Sequence, residues 1–527
     1  MQHPYQCICV CHPVGGDASG MFLAASGPKI FSVNLQNGSI ASSWPDEESS
    51  PAHETRETST LEGPPGKKRK IAQSTETKPN VIQLTTSHDQ KHVIAVTGED
   101  KCIRVFAIDP TGQLTQLSER YNESLVYRGL ELTMPRCMPK RPCAIAVTPD
   151  NQTVILGDKH GDVYSLPLLP EDKNPSQLVL ERAEAAPKKA FVPAATNLTV
   201  HTGRNLKALE AQQKQKDLHA KTKEPPKFES TLLLGHVSML TDLLLATVVP
   251  DEPDAKPRNY ILTSDRDEHI RVSRGLPQTH VIKGYCLGHT EFVRKLCIVN
   301  DRLLVSGGGN NWLGVWDWVR GELDMELDLK DLLVAARQDG LIPRTSDASS
   351  RGASDTIAVS GLWTCHMAHP HESQLLIALE GVPALFHVPI SQLVAQYQGQ
   401  PDLDYTALPG NLLDIAIHTT VLDEVSLIVS IDNMHALGST SRPRSEPTSQ
   451  RLLRLSLSND PEVKRWGIDE RSTALLEAAN SAEGPESGGK GVAALCYGVE
   501  TLRKRGGGKE EDEEGQSVSQ CVLLLRV

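Results

Sequence analysis

The sequence has no apolar run that approaches the roughly 18 residues a membrane-spanning helix needs. Its first residues, Met1-Gln2-His3-Pro4, show neither the basic start nor the apolar stretch of a secretory signal. The eleven cysteines are odd in number and scattered over 527 residues, unlike the disulfide framework of a small secreted protein. We therefore expect a soluble intracellular protein with reduced thiols and no membrane partner.

An excess of positive charge is also missing. The chain has 54 basic and 66 acidic residues, which gives a net charge of −12. An acidic chain repels a polyanion on average, so the composition disfavours nucleic-acid binding by this chain alone. Any RNA contact would need a local basic patch or a basic partner.

Short strands joined by tight polar turns recur along the chain. One interval between equivalent turn positions, Asp267 and Asn310, is 43 residues, which is typical of one four-stranded blade. The sequence thus predicts an all-β fold, a seven-bladed WD-repeat β-propeller with long polar insertions. The seven candidate hairpins span residues 21–33, 94–106, 153–166, 260–272, 303–317, 374–388 and 426–433.

We expect residues 1–527 to form this single propeller, with polar segments between its blades. Residues 41–79 are rich in Ser, Glu, Thr and Pro and predict a disordered insertion. Residues 170–230 form a Pro- and Lys-rich insertion, in which 206–223 have high helix propensity, and 480–517 predict a polar loop. The last strand, 521–527, is expected to pair with the N-terminal blade and close the ring.

Two Gly-His pairs precede predicted hairpins, as in WD repeats. His236 and His289 are predicted to be structural, each bonding the polar residue of the following turn, and the first would bond Asp267. Trp316 and Asp317 form the dipeptide after which the repeat is named. These residues indicate a fold and carry no catalytic role.

Three stretches, 234–242, 263–274 and 285–293, resemble the non-catalytic WD-repeat subunit of the tRNA (guanine-N7) methyltransferase. The long insertions resemble the fungal branch of that family. The resemblance implies a scaffold that forms a heterodimer with, and stabilises, a separate catalytic subunit. That partner would carry S-adenosylmethionine, methylate N7 of a guanine in the tRNA variable loop, and make most contacts with tRNA. This chain would itself be no enzyme and hold no cofactor.

The resemblance also implies a contact site on the blade with the motif Asp-Arg-Asp-Glu-x-Ile-Arg. The expected partner-binding residues are Arg266, Glu268, His269 and Arg271, with His269 standing where the family usually has lysine. Ile270 alternates with these polar residues, so one face of the strand should be apolar and the other polar. The alternative interpretation of Glu268 and Arg271 is a local ion pair on a solvated strand face.

Other patterns allow competing interpretations. Lys67, Lys68, Arg69 and Lys70 form a basic run that predicts nuclear import and a nuclear protein, or else a generic basic tract. Cys7, Cys9 and Cys11 alternate, which places all three on one strand face as core residues rather than metal ligands.

The alternative function is a WD-repeat adaptor of another complex, such as a ubiquitin ligase. The glycines after Ser306 precede a strand rather than a helix, so they do not predict a phosphate loop. The sequence also shows no nucleophile elbow and no glycine-rich strand–loop–helix suited to S-adenosylmethionine.

Overall fold

The computed structural model describes residues 2–13, 20–45, 78–117, 136–169, 207, 228–249, 256–341, 357–369, 372–394, 401–420, 424–446, 448–458, 465–484 and 489–504. Within these residues the chain folds into seven antiparallel sheets, each built from strands that are consecutive in sequence. The first strand of every sheet contacts the first strand of both neighbouring sheets, so the sheets form a closed ring. This arrangement confirms the predicted seven-bladed β-propeller.

The strands of the first three blades are as follows. Blade 1 contains β1 (Cys7–Cys11), β2 (Met21–Ser26), β3 (Lys29–Asn34) and β4 (Ile40–Trp44). Blade 2 contains β5 (Val81–Thr86), β6 (His92–Thr97), β7 (Cys102–Ile108), β8 (Leu114–Gln116) and a short extra strand, β9 (Arg136–Cys137). Blade 3 contains β10 (Pro142–Val147), β11 (Thr153–Asp158), β12 (Asp162–Pro167) and β13 (Thr231–Gly235).

Four further blades complete the ring. Blade 4 contains β14 (Leu240–Val248), β15 (Arg258–Asp265), β16 (Ile270–Arg274) and β17 (Ile282–Cys286). Blade 5 contains β18 (Val293–Ile298), β19 (Leu303–Gly308), β20 (Trp312–Asp317) and β21 (Glu322–Asp328). Blade 6 contains β22 (Val359–Cys365), β23 (Gln374–Leu379), β24 (Ala384–Pro389) and β25 (Asp404–Ala407). Blade 7 contains β26 (Asn411–Thr419), β27 (Val425–Asp432), β28 (Leu452–Leu457) and β29 (Trp466–Ile468).

Among the described residues, α-helices follow blades 5 and 7, and one 3₁₀ turn lies inside blade 6. The α-helices are α1 (Lys330–Gln338), α2 (Glu470–Ala474), α3 (Glu477–Ser481) and α4 (Gly489–Cys496). Two 3₁₀ turns are Ile390–Gln392 and Glu500–Leu502. No helix in the described part of the chain is long and apolar enough to cross a membrane.

The core lies between the blades. Seven clusters of buried apolar side chains each join two neighbouring blades around the ring. A blade is therefore covered on both faces, which explains why its second strand reads as a continuous apolar run such as Met21–Ser26. One cluster packs Phe22 and Ala24 of blade 1 against Ile428 and Leu452 of blade 7, so packing joins the two ends of the ring.

The predicted segments match the structure in part. Residues 41–44 of the insertion expected at 41–79 belong instead to β4, which pairs with β3 of blade 1, and residues 46–77 lie outside the described residues. The polar loop expected at 480–517 is wrong for residues 489–496, which form α4 with Val492 fully buried. Most of the 170–230 insertion, the closing strand at 521–527 and the basic run Lys67-Lys68-Arg69-Lys70 lie outside the described residues.

The described cysteines are mostly core residues, and two of them form a disulfide. Cys7, Cys9 and Cys11 lie on the same face of β1 and pack into the core between blades 1 and 2, as the alternation predicts. Burial raises the pKa of the Cys11 thiol to about 12. The expectation that all thiols are reduced is wrong for Cys102 and Cys137, which form a disulfide because β7 and β9 bring them into register.

Candidate partner-binding site

The carboxylate of Asp265 ties together the turn between β15 and β16. Its Oδ1 accepts hydrogen bonds from the backbone N–H of Asp267 at 2.9 Å and of His269 at 3.1 Å. Its Oδ2 lies 3.1 Å from Nδ1 of His236. Burial alone would raise the pKa of Asp265, but the bonds to His236 and to the backbone of His269 lower it overall. The turn that carries the motif is therefore rigid.

The equivalent turn of blade 5 follows the same plan. His289 Nδ1 lies 3.0 Å from Asn310 Oδ1, and its Nε2 lies 2.7 Å from Ser306 Oγ. Trp316 Nε1 donates to the same hydroxyl at 2.7 Å. The neighbouring Asp317 accepts from two backbone N–H groups of the next turn. All of these contacts are structural and lie inside one blade.

The assignment of the turn tether to Asp267 is wrong. In blade 4 the residue that bonds His236 is Asp265, two positions earlier at the end of β15. Because the Asp265 carboxylate reaches both His236 and the turn backbone, the side chain of Asp267 takes no part in the tether. Its side chain is 44% exposed and lies 3.2 Å from Lys504 Nζ.

Arg271 lies on β16 beside the outer strand of blade 3. Its Nε donates to Ser273 Oγ at 3.0 Å and its Nη1 donates to the carbonyl of Gly235 at 3.0 Å. Neither acceptor is a carboxylate, and Glu268 instead lies 3.2 Å from Lys504. The structure thus separates Glu268 and Arg271, which the alternative interpretation paired with each other.

The surface around Arg271 also exposes apolar side chains. Tyr285 lies opposite Arg271 in the register of β16 and β17, and it is 41% exposed. Its ring contacts that of His269, whose side chain is half exposed. Leu287 is 59% exposed, and Val237, two residues after Gly235, is fully exposed. Exposed aromatic and aliphatic groups around an arginine are typical of protein–protein contacts.

Sequence reasoning missed a segment that crosses this part of the molecule. We call residues 497–504, which follow α4, the C-terminal strap. It lies across the hairpin face, the propeller face that carries the turns between the second and third strands of the blades. Its contacts begin at blade 7. There the Tyr497 hydroxyl donates a hydrogen bond to the carboxylate of Asp432 and accepts one from the side-chain amide of Asn411.

The strap then passes blades 6, 5 and 4. Glu380 of blade 6 accepts from the N–H groups of residues 498 and 499 at 2.6 and 2.8 Å. Arg503 Nη1 donates to the carbonyl of Gly309 at 2.7 Å and lies 3.5 Å from Glu291. Arg266 Nε of blade 4 donates to the carbonyl of Leu502 at 2.8 Å. The only sequence signals of this segment are Tyr497 and the basic run that starts at Arg503.

The four predicted partner-binding residues therefore divide into two groups. Arg266 and Glu268 contact the C-terminal strap, whereas His269 and Arg271 lie toward the exposed edge formed by β17. Within the described residues, no group of three or more His, Cys, Asp or Glu side chains is arranged to hold a metal ion.

Comparison with known proteins identifies the family. The family model for the tRNA methyltransferase TRM82 WD40 domain matches residues 22–456. A Phaeosphaeria nodorum protein named tRNA (guanine-N(7)-)-methyltransferase non-catalytic subunit TRM82 is 40% identical over 97% of this chain and 100% of its own length. Relatives of the same name from Coccidioides immitis and Sclerotinia sclerotiorum are 39% and 36% identical, over 93% and 98% of this chain and 96% and 99% of their own lengths.

These relatives are named non-catalytic, which supports the prediction that this chain is not an enzyme. The match covers most of the propeller and the relatives match nearly end to end. The chain therefore belongs to the family of the tRNA methyltransferase TRM82 WD40 domain, in its fungal branch.

Proposed function

We propose that this chain binds and stabilises the catalytic subunit of the tRNA (guanine-N7-)-methyltransferase as one half of a heterodimer. The observation that carries the proposal is the full-length likeness to relatives named as the non-catalytic subunit of that enzyme. A subunit without a catalytic role acts by holding its partner in the active conformation. A ring of seven packed blades is a suitably rigid support for that task.

The proposed contact is the surface of blade 4 that contains Arg266, Glu268, His269 and Arg271. Three features support it: a turn fixed by Asp265, a partly exposed arginine, and exposed apolar side chains on β17. Arginine and aromatic residues contribute much of the binding energy in protein interfaces. A rigid backbone also lowers the conformational entropy lost on binding.

S-adenosylmethionine and the chemistry of methyl transfer belong to the partner in this proposal. The net charge of −12 supports an arrangement in which tRNA is bound mainly through the partner. The run from Lys67 to Lys70 supports import into the nucleus.

Reconstitution with purified subunits tests the proposal. The catalytic subunit is assayed with tRNA and labelled S-adenosylmethionine, alone and with this chain. We expect no methyl transfer by this chain alone and an increase when both subunits are present, together with co-elution on gel filtration. Co-purification with a cullin adaptor instead of a methyltransferase would favour the ubiquitin-ligase alternative.

A further inference from the structure

The C-terminal strap is anchored firmly at one end and loosely at the other. At blade 7 the Tyr497 hydroxyl bonds to Asp432 and Asn411, which are both fully buried. At blade 4 the contacts of Lys504 are to Asp267 and Glu268, and the three side chains are 55%, 44% and 34% exposed. Exposed ion pairs contribute about 0–1 kcal/mol each, so Lys504 can leave the two acids while the buried end stays in place.

The loosely held end lies on residues of the proposed partner contact. Lys504 Nζ is 3.2 Å from both Asp267 Oδ1 and Glu268 Oε1. Arg266 is held by the backbone carbonyls of Leu502 and Arg503, at 2.8 and 3.4 Å. A protein that approaches this turn with a basic side chain meets carboxylates that already have a cation beside them.

We propose that residues 502–504 are an internal competitor for the blade 4 turn. Binding of the catalytic subunit displaces Lys504 from Asp267 and Glu268, and the carbonyls of residues 502 and 503 from Arg266. The proposal rests on the proposed function, because it takes blade 4 as the docking site. While no partner is bound, the positive charge of Lys504 neutralises the carboxylates of Asp267 and Glu268. Arg503, held by Glu291 and the carbonyl of Gly309, keeps that lysine in reach.

Hydrogen exchange of the full-length chain, with and without the catalytic subunit, tests the displacement. In the free chain the amides of residues 498 and 499, which bond to Glu380, should be protected. On binding, exchange should increase at residues 502–504 and stay low at 498 and 499. Increased protection of 502–504 would make the strap a part of the interface and would overturn the proposal, as would unchanged exchange.

Substitutions give an independent measurement. The variant Lys504→Ala should bind the catalytic subunit about two- to tenfold more tightly, because the contacts of Lys504 with Asp267 and Glu268 are exposed pairs of modest strength. Lys330→Ala is the matched control, since that exposed lysine pairs with Asp328 in blade 5. Its affinity should equal that of the natural chain. Equal or weaker binding by Lys504→Ala would overturn the proposal.

The failure of this inference is distinguishable from failure of the proposed function. If Arg271→Glu loses binding while the strap variant binds like the natural chain, the strap is not a competitor and the docking site stands. If Arg271→Glu binds normally, the docking site itself is wrong, and the inference is overturned with it.

Discussion

The guanidinium of Arg451 lies 4.4 Å from the centre of the Tyr5 ring, and this contact joins blade 7 to the N-terminal segment. Arg451 is fully buried and donates to the carbonyls of His3 and Ala479 at 3.0 and 2.6 Å. The Tyr5 hydroxyl donates to the same Ala479 carbonyl at 2.6 Å. The first and last blades are thus tied through a cation enclosed by backbone oxygens.

Arg451→Ala is expected to lower the free energy of unfolding by about 2–4 kcal/mol, because several buried carbonyls lose their donor. Urea denaturation followed by circular dichroism measures the change. Arg320→Ala is the control, since that side chain is 66% exposed and should change stability by less than about 0.5 kcal/mol. Equal stability of the two variants would contradict this account of ring closure.

The tether of the blade 4 turn can be tested with two neighbouring aspartates. Asp265→Ala should lower the free energy of unfolding by about 1–3 kcal/mol, because His236 and two backbone N–H groups lose their acceptor. Asp267→Ala should change it by less than about 0.5 kcal/mol, because Asp267 makes an exposed pair. Thermal melting of both variants measures the two effects. A larger loss of stability for Asp267→Ala than for Asp265→Ala would refute the assignment of the tether to Asp265.

His289 should make stability depend on pH. Burial lowers its pKa from 6.5 to about 4, although the bond to Asn310 acts in the opposite direction. The unfolded chain therefore takes up the proton first, so the contribution of His289 is present above pH 6.5 and is lost as the pH falls toward about 4. Loss of the whole contribution of His289 lowers the free energy of unfolding by about 3 kcal/mol.

Denaturation of the natural chain and of His289→Gln between pH 7 and pH 4 measures this effect. The variant should be less stable at pH 7 and should lose less stability on acidification. The variant should still lose some stability as the pH falls, because burial also lowers the pKa of His3 and His387. Parallel curves for the two proteins would show that His289 is not the group responsible.

Nuclear import is expected to depend on the run from Lys67 to Lys70. Replacement of these four residues by Ala should reduce nuclear accumulation of a fluorescently tagged chain in cells that lack the catalytic subunit, so that import with the partner cannot compensate. The Lys330→Ala variant controls for loss of a surface cation. Unchanged accumulation would leave the run as a generic basic tract.

The second and third strands of most blades were predictable because they carry the strongest patterns. Six of the seven sequence hairpins correspond to strand pairs such as β15 and β16, where buried apolar residues flank a polar turn. The seventh, 426–433, covers only β27, because its partner β28 begins at Leu452 after a long connection. The first and fourth strands were not identified as separate elements. Outer strands such as Glu322–Asp328 are largely exposed and polar, so their sequence lacks the apolar signal.

Sequence analysis located the residues of the site only where the local sequence pattern determines their position. The position of Arg271 on a half-buried strand follows from the alternation with Ile270 and Val272. The Asp265 tether was missed because the repeat pattern favours the later aspartate, and only the backbone path shows which carboxylate reaches His236. The C-terminal strap depends on contacts between residues far apart in the chain, such as Arg503 and Gly309, which are 194 positions apart. No local pattern encodes such contacts.

The central claim is that the catalytic subunit docks on blade 4, and charge reversal at Arg271 tests it most directly. A glutamate there would leave a buried, uncompensated charge at the contact, at a cost of about 2–5 kcal/mol. Arg465→Glu is the control, because the exposed Arg465 side chain pairs with Asp404 at the outer strands of blades 7 and 6, away from blade 4. Circular dichroism and thermal melting establish that both variants are folded.

The decisive measurement is the dissociation constant of each folded variant for the catalytic subunit. We predict that Arg271→Glu weakens binding by about thirtyfold or more and lowers N7-methylguanosine in cellular tRNA, whereas Arg465→Glu binds like the natural chain. Normal binding by a folded Arg271→Glu protein would contradict the account and place the interface on another part of the propeller.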